Sequence, residues 1–432
     1  MKENNLNKVS SIMNNDFNVL SHCRLCKSTK LEFLLSLGIQ PLLGVYVKPD
    51  EPDPIKVPVE LLFCSDCKFV QLGHTVNSTL IYDNYWYLSS INKTMRDHLK
   101  GITLDIEKRI KLKRNDICLD IGCNDGELLK SYSTNDIKKI GIDPNKAINN
   151  INDNDIVKIN NYFTADNIQP LIDGKKIKVI TSIAMFYDID DPNSFIKDIV
   201  HLLAPDGIWI IEMNYTGQMI KNCGYDMISH EHIGYYTLSV FDDLVRKHNL
   251  CVNDVTFNSI NGGSIRIYVS FNKIINKSVN IALKTELNEG LNLASTYRHF
   301  AERMTVLKDK LIDKLKEIKL RDQSVFIYGA SNRGNTILLY CGLNNNLIKG
   351  AAERNPLKFG LETVGSRIPI VSEKIARELK PNYFLILPYG FIDEFVKREY
   401  DYLKDGGRFL IPIPKLKEIY ISNDTIVEKI LT

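Results

Sequence analysis

Ile117-Cys118-Leu119-Asp120-Ile121-Gly122-Cys123-Asn124-Asp125-Gly126 is the stretch on which the fold turns. Its first five residues form an apolar run that reads as a strand, and the glycines after it open a loop into a helix. Gly122 and Gly126 let the backbone approach a ligand closely, and the helix N-terminus that follows favours a carboxylate or phosphate. About 20 residues on, a second apolar run ends in Gly141-Ile142-Asp143-Pro144, where an acid accepts hydrogen bonds from ribose hydroxyls. The loop lacks GxGxxG and begins with an acid, which favours S-adenosylmethionine (SAM) over a nicotinamide dinucleotide. Asp120, Gly122, Asn124, Asp125, Gly126, Asp143, Pro144 and Ala184 are the expected cofactor-binding residues.

Outward from this turn, strand-like runs at 117–121, 139–143, 179–183 and 207–213 alternate with helical stretches, and 264–271 adds one more strand. Such alternation implies a parallel sheet with helices on both faces. Residues 280–320 read as one long or broken helical connector. A second strand–glycine turn–helix unit begins at 324–330, with further strands at 384–387 and 408–411, so a second, smaller doubly wound domain is expected. Its turn, Tyr328-Gly329-Ala330-Ser331-Asn332-Arg333-Gly334-Asn335, reads either as a phosphate cradle or as a purely structural turn.

The segment 21–76 lacks long helical patterns. It carries Cys23-Arg24-Leu25-Cys26 and Cys64-Ser65-Asp66-Cys67, two CxxC pairs with 37 residues between them. Each turn aims two sulfurs at one point, and two turns complete a tetrahedral S4 shell, the chemistry of a closed structural zinc site. Cys23, Cys26, Cys64 and Cys67 are the expected ligands. With four protein ligands the metal has no open position for catalysis.

Composition sets the outer limits. At about 150 residues per domain, 432 residues suggest three domains: residues 1–80, 81–300 and 301–432. The formal net charge of +3, from 55 basic and 52 acidic residues, is too small to indicate nucleic-acid or membrane binding. No apolar run approaches the ~20 residues of a membrane helix, and the Asn- and Lys-rich N-terminus does not resemble a secretory signal. Nine cysteines, an odd number, fit a reducing compartment, so a cytoplasmic protein is expected.

Ser229-His230-Glu231-His232-Ile233-Gly234-Tyr235-Tyr236 is the densest polar cluster. HEH is not HExxH, so a helical zinc-protease reading fails. On a strand or loop, its two histidines point the same way, and a His–Glu pair can supply a general base with its orienting partner. Upstream, residues 84–90 place Tyr85, Trp86 and Tyr87 beside two serines, an aromatic patch able to wall a sugar or to form core.

Together these motifs resemble the three-domain sugar C-methyltransferases of deoxysugar biosynthesis, over nearly the whole chain from about residue 21 to 414. The four cysteines, Asp120 to Gly126, the HEH segment, Asn261-Gly262-Gly263-Ser264-Ile265-Arg266, and several C-terminal blocks, including Gly406-Gly407-Arg408-Phe409, carry the likeness. The resemblance implies an α/β protein with a zinc-binding N-terminal domain, a central class I SAM methyltransferase domain and a C-terminal Rossmann-like domain. It implies His232 as the base, Glu231 as its positioning partner, and Tyr85 or Tyr87 as a tyrosine of the acceptor site. Further candidates are His230 and Asp188 in catalysis, and Tyr236, Asn261, Arg266, Arg333 and Lys358 in substrate binding. The expected partner is a nucleotide-diphosphate sugar; nucleic acid and membrane are not expected, and the protein would be a monomer or weak oligomer. Ser229 stands where enzymes acting at C-3 of 4-keto sugars have Tyr, and Asp188 where they tend to have His. Both departures fall at the acceptor site, so O- or N-methylation of a nucleotide sugar stays open beside C-methylation. A nicotinamide oxidoreductase and a non-catalytic zinc protein are the remaining alternatives.

Overall fold

The computed structural model describes residues 16–82 and 88–431. The N-terminal part is built on an antiparallel sheet in which Leu31–Pro41 pairs with Lys56–Cys64, and Lys56–Cys64 pairs with Val70–Leu72. Every second residue of Lys56–Cys64 is buried, the period of a strand with one covered face. The fourth strand of this sheet is Gly234–Tyr235, which reaches it from the middle of the chain and pairs with Val70 and Gln71.

The central sheet has seven strands. Ile156–Ile159, Lys138–Ile142, Ile117–Ile121, Ile177–Ile183 and Leu203–Asn214 lie side by side and parallel. Ser264–Ser270 then pairs antiparallel with Leu203–Asn214, and Cys251–Asn258 closes the edge. All five residues of Ile117–Ile121 are buried, which is why they read as an apolar run broken only by Asp120. The reversal of strand order falls beside Ile117–Ile121, and in sheets of this kind ligands bind at the strands' C-terminal ends at such a point.

A second seven-stranded sheet forms the C-terminal part. Ile370–Ser372, Gly350–Glu353, Val325–Tyr328, Tyr383–Ile386 and Arg408–Ile411 are parallel. The antiparallel hairpin Lys417–Ser422 and Thr425–Ile430 extends it. The expected connector is two helices, Lys277–Asn288 and Ala294–Leu320, and the second runs unbroken through residues 300 and 301. This helix touches all three parts: Arg298 pairs with Glu32, Arg303 donates to the Ile220 carbonyl, and Lys314 pairs with Glu418. The N-terminal part also meets the C-terminal one directly, Tyr46–Val47 pairing with Glu362–Thr363. Among the described residues, no helix is long and apolar enough to cross a membrane.

Candidate active site and metal centre

The two CxxC turns are geometric copies of each other. Lys27 and Lys68, each just after the second cysteine, take positive φ values of 60° and 65°. Their amides bond back to the carbonyls of Cys23 and Cys64 at 3.0 and 2.8 Å. The four sulfurs lie within 4.8 Å of one another, with Cys23 to Cys67 and Cys26 to Cys64 each at 3.5 Å. Four soft thiol donors converging at that spacing fit a tetrahedral zinc ion with no ligand position left over.

In the central domain, Gly122 has φ +74°, and a Cβ there would sit 2.9 Å from the Met185 side chain. Gly126, at φ +78°, caps the helix Glu127–Lys130. The Asp143 carboxylate receives the backbone amides of Asn124 at 2.8 Å and Asn145 at 2.7 Å. Burial raises its pKa, and those two hydrogen bonds partly offset the rise. Asp120 is deeper, bonded to the Thr181 hydroxyl at 2.6 Å, and burial pushes its pKa up to about 7. The Thr181 bond ties the end of this strand to its neighbour. Asp125 presents one carboxylate oxygen that is buried without a partner among the described residues; the other accepts the Ser90 amide. Ala184, with φ 55°, bends the chain after the neighbouring strand and donates its amide to the Glu212 carbonyl. The glycine cradle, the acid closing the next strand and the orphaned Asp125 oxygen fit an adenosine cofactor with a charged amino-acid tail.

The HEH loop lies between domains. His232 Nδ1 is 2.7 Å from the Met227 carbonyl, and its ring packs edge-on against Tyr187 at 4.6 Å. Glu231 Oε1 lies 3.8 Å from His232 Nε2. Asp188 follows Tyr187 in the turn Phe186–Asp188, and its pKa is pushed well up by burial and by the Glu231 charge. Burial lowers the His232 pKa to about 4, although the Met227 carbonyl resists. His232, Glu231 and Asp188 are thus brought together.

Other candidates fall elsewhere. His230 turns away, its Nε2 3.0 Å from the Val57 carbonyl of the N-terminal sheet, so it ties the loop down instead of sharing the site with His232. Tyr236 is 1% exposed, with the rings of Phe69 and Phe186 at 4.8 and 5.3 Å; it is core, not cleft wall. Arg266 is held by Glu212 at 2.8 Å, and Asn261 sits in the adjacent tight turn with φ 54°. Arg333 and Lys358, the expected diphosphate ligands, are both already ion-paired. Arg333 engages Asp226 at 2.6 Å and Lys358 engages Glu353 at 3.2 Å. Tyr85 and Tyr87 lie outside the described residues.

Sequence reasoning missed Glu212, which accepts from His98 at 2.5 Å, Asn258 at 3.0 Å and Arg266. Burial alone would raise its pKa, but the His98 hydrogen bond and the Arg266 charge bring it below the usual range. An acid closing the apolar run Ile208-Trp209-Ile210-Ile211 was the available clue. Asp226 was missed as well, hidden in a short turn.

A five-stranded parallel core extended by an antiparallel strand, with a glycine cradle and a strand-ending acid, defines a class I SAM-dependent methyltransferase. Comparison with known proteins agrees with that class. Family models match for a zinc binding domain over residues 23–82, a methyltransferase domain over 92–254 and a C-methyltransferase C-terminal domain over 259–414. The C-methyltransferase NovU of Streptomyces niveus is 27% identical over 407 residues, covering 93% of this chain and 97% of that protein. Solved structures with similarity include the plantazolicin methyltransferase BpumL in complex with SAH (16% identity, 40% of this chain and 82% of that one, TM-score 0.32). Another is LepI in complex with SAM (14% identity, 43% and 54%, TM-score 0.32). The chain belongs to the three-domain C-methyltransferase family, with SAM as cofactor and a structural zinc.

Proposed function

We propose that this protein methylates a carbon next to the 4-keto group of a nucleotide-activated deoxysugar, with His232 as general base. The carrying observation is the 2.7 Å contact between His232 Nδ1 and the Met227 carbonyl. A carbonyl only accepts, so Nδ1 holds the proton and Nε2 keeps its lone pair for the substrate. With its pKa lowered to about 4, the ring is neutral at pH 7 and ready to take a proton. Glu231 beside Nε2 offsets the charge that appears on the ring as the proton arrives, while Asp188, its pKa pushed well up beside Glu231, stays the neutral member of the pair. A 4-keto group acidifies the neighbouring C–H, and Tyr87 or Tyr85 is the candidate donor to the developing oxygen charge. When bound, SAM supplies an electrophilic methyl group. Asp143 and Asp125 would hold it at the strand ends.

The nucleotide end of the substrate would rest in a cleft of about 200 Å³ at the second sheet, lined by Gly329, Ser331, Lys358 and Arg398, with Asn92 of the central domain at its rim. Lys358 and Arg398 are the cations that would meet a diphosphate there, Lys358 by exchanging its Glu353 partner for the phosphate; Arg333 is turned to Asp226. The name of the S. niveus relative points to carbon as the acceptor atom.

The test is NMR in D2O with dTDP-4-keto-6-deoxyglucose. Loss of the C-3 proton signal without SAM, and a new C-methyl singlet with it, is the expected result. No exchange, while S-adenosylhomocysteine forms with other nucleotide sugars, overturns the enolate route in favour of O- or N-methylation.

A further inference from the structure

The candidate base hangs from a turn that a different domain holds shut. Met227, whose carbonyl accepts the hydrogen bond from His232 Nδ1, ends the short 3-10 turn Tyr225–Met227. Its neighbour Asp226 is 1% exposed. One Asp226 oxygen receives Arg333 Nε at 2.9 Å and Nη2 at 2.6 Å; the other receives the Tyr389 hydroxyl at 3.3 Å. Tyr225, on the other side of Asp226, packs its ring 5.2 Å from Tyr340 and brings its hydroxyl 3.7 Å from Cys341 Sγ. Arg333 and Tyr340 both belong to the helix Asn332–Tyr340 of the C-terminal domain. Arg333 is itself confined: a Cβ on Gly262 would lie 3.0 Å from its Nη2.

We propose that Arg333 is a positioning residue for His232: by clamping Asp226 it fixes the Met227 carbonyl, which holds the ring with Nδ1 protonated and Nε2 free. This rests on His232 being the base. The imidazole of histidine in water favours the proton on Nε2, so the useful tautomer needs the carbonyl in place. Arg333 reaches no reacting atom; beside its charge, which disfavours the His232 imidazolium, it acts through Asp226 and the Met227 carbonyl. Removing it leaves a buried carboxylate unpaired, and the turn must move to rehydrate it. The base is thereby competent only when the C-terminal domain is docked, the same domain whose cleft would take the nucleotide.

The experiment is 15N NMR of full-length protein labelled at histidine, with the His232 signals assigned by their loss in His232→Gln. The wild type should show His232 protonated on Nδ1. Arg333→Ala should move the ring toward the Nε2-protonated form and lower kcat for C–H exchange about 10- to 100-fold, as a misplacement near 1 Å does. Its SAM affinity should stay unchanged, and Arg333→Lys should recover part of both losses. Tyr389→Phe, which keeps the ion pair, should shift the tautomer less, and serves if Arg333→Ala does not fold. An unchanged His232 tautomer and kcat in a folded Arg333→Ala protein, or in Tyr389→Phe where Arg333→Ala does not fold, overturns the proposal. Full exchange activity in His232→Gln would instead overturn the base reading, and the tautomer of the Arg333 variants would still decide the clamp.

Discussion

Arg24, between Cys23 and Cys26, places its Nε 3.1 Å from Asp190 Oδ1 across the junction of the N-terminal and central domains. Both terminal nitrogens donate as well, to the carbonyls of Leu72 at 2.6 Å and His74 at 3.0 Å and to the Thr75 hydroxyl at 2.7 Å. The side chain is 2% exposed, so the metal-binding turn, the N-terminal sheet and the methyltransferase domain share one buried guanidinium.

Loss of the metal should therefore reach the active site. Cys64→Ser is expected to drop bound zinc from one per chain to near none, and to reduce methyl transfer although no cysteine touches the substrate. Colorimetric zinc assay on purified protein, paired with turnover, checks this. Unchanged zinc content would rule out a closed four-thiolate site.

Asp143→Asn should weaken SAM binding about 10- to 100-fold, the loss expected when a hydrogen bond to a charged group worth ~1.5–3 kcal/mol is removed. Titration calorimetry measures it directly. The variant keeps an oxygen for only one of the Asn124 and Asn145 amides and sets its NH2 against the other, so a thermal melt must accompany the titration.

The two histidines of HEH should separate cleanly. His232→Gln is expected to cost about 10²- to 10⁴-fold in C–H exchange, the usual span for a general base, with SAM affinity unchanged. His230→Gln should instead cost ~1–3 kcal/mol of stability through the lost bond to Val57. Equal kinetic losses with equal stability would show that the loop acts as one unit.

Acid should expose the same pair. Burial lowers both pKa values from 6.5 to about 4. The unfolded chain therefore binds these protons first as pH falls, and stability is lost between pH 6.5 and 4. At pH 5 the loss is on the order of 2 kcal/mol per ring. Asp120, raised to about 7 by burial, titrates with the opposite sign, so the comparison must be between variants. Urea unfolding at pH 7.5 and pH 5 should show wild type losing about 2 kcal/mol more than His230→Gln.

Much of the fold was legible because the inner parallel strands are covered on both faces and read as apolar runs. Residues 117–121 and 408–411 match strands Ile117–Ile121 and Arg408–Ile411 to the residue. Edge strands were harder. Ile156–Ile159 has one fully buried residue, and Thr425–Ile430 has none, so neither carries a hydrophobic period. The cysteine spacing foretold a sulfur cluster, since a CxxC turn is local chemistry. The partners of Arg333 and His230 were not legible. Each lies more than 100 residues away along the chain, and a charged residue's sequence neighbours do not say which distant carboxylate or carbonyl will hold it. Tyr236 misled for the related reason that an aromatic residue reads alike in a core and at a cleft.

Gly234–Tyr235 begins two residues after His232, yet the strands it joins were laid down some 160 residues earlier, at Val70–Leu72 and beyond. The zinc domain is consequently not an interchangeable cassette. A transplant from a homologue spliced at residue 82 would offer the incoming sheet an edge strand cut for another partner. Engineering a hybrid enzyme from this scaffold calls for moving residues 229–237 together with the N-terminal sheet, as one inheritance in two pieces.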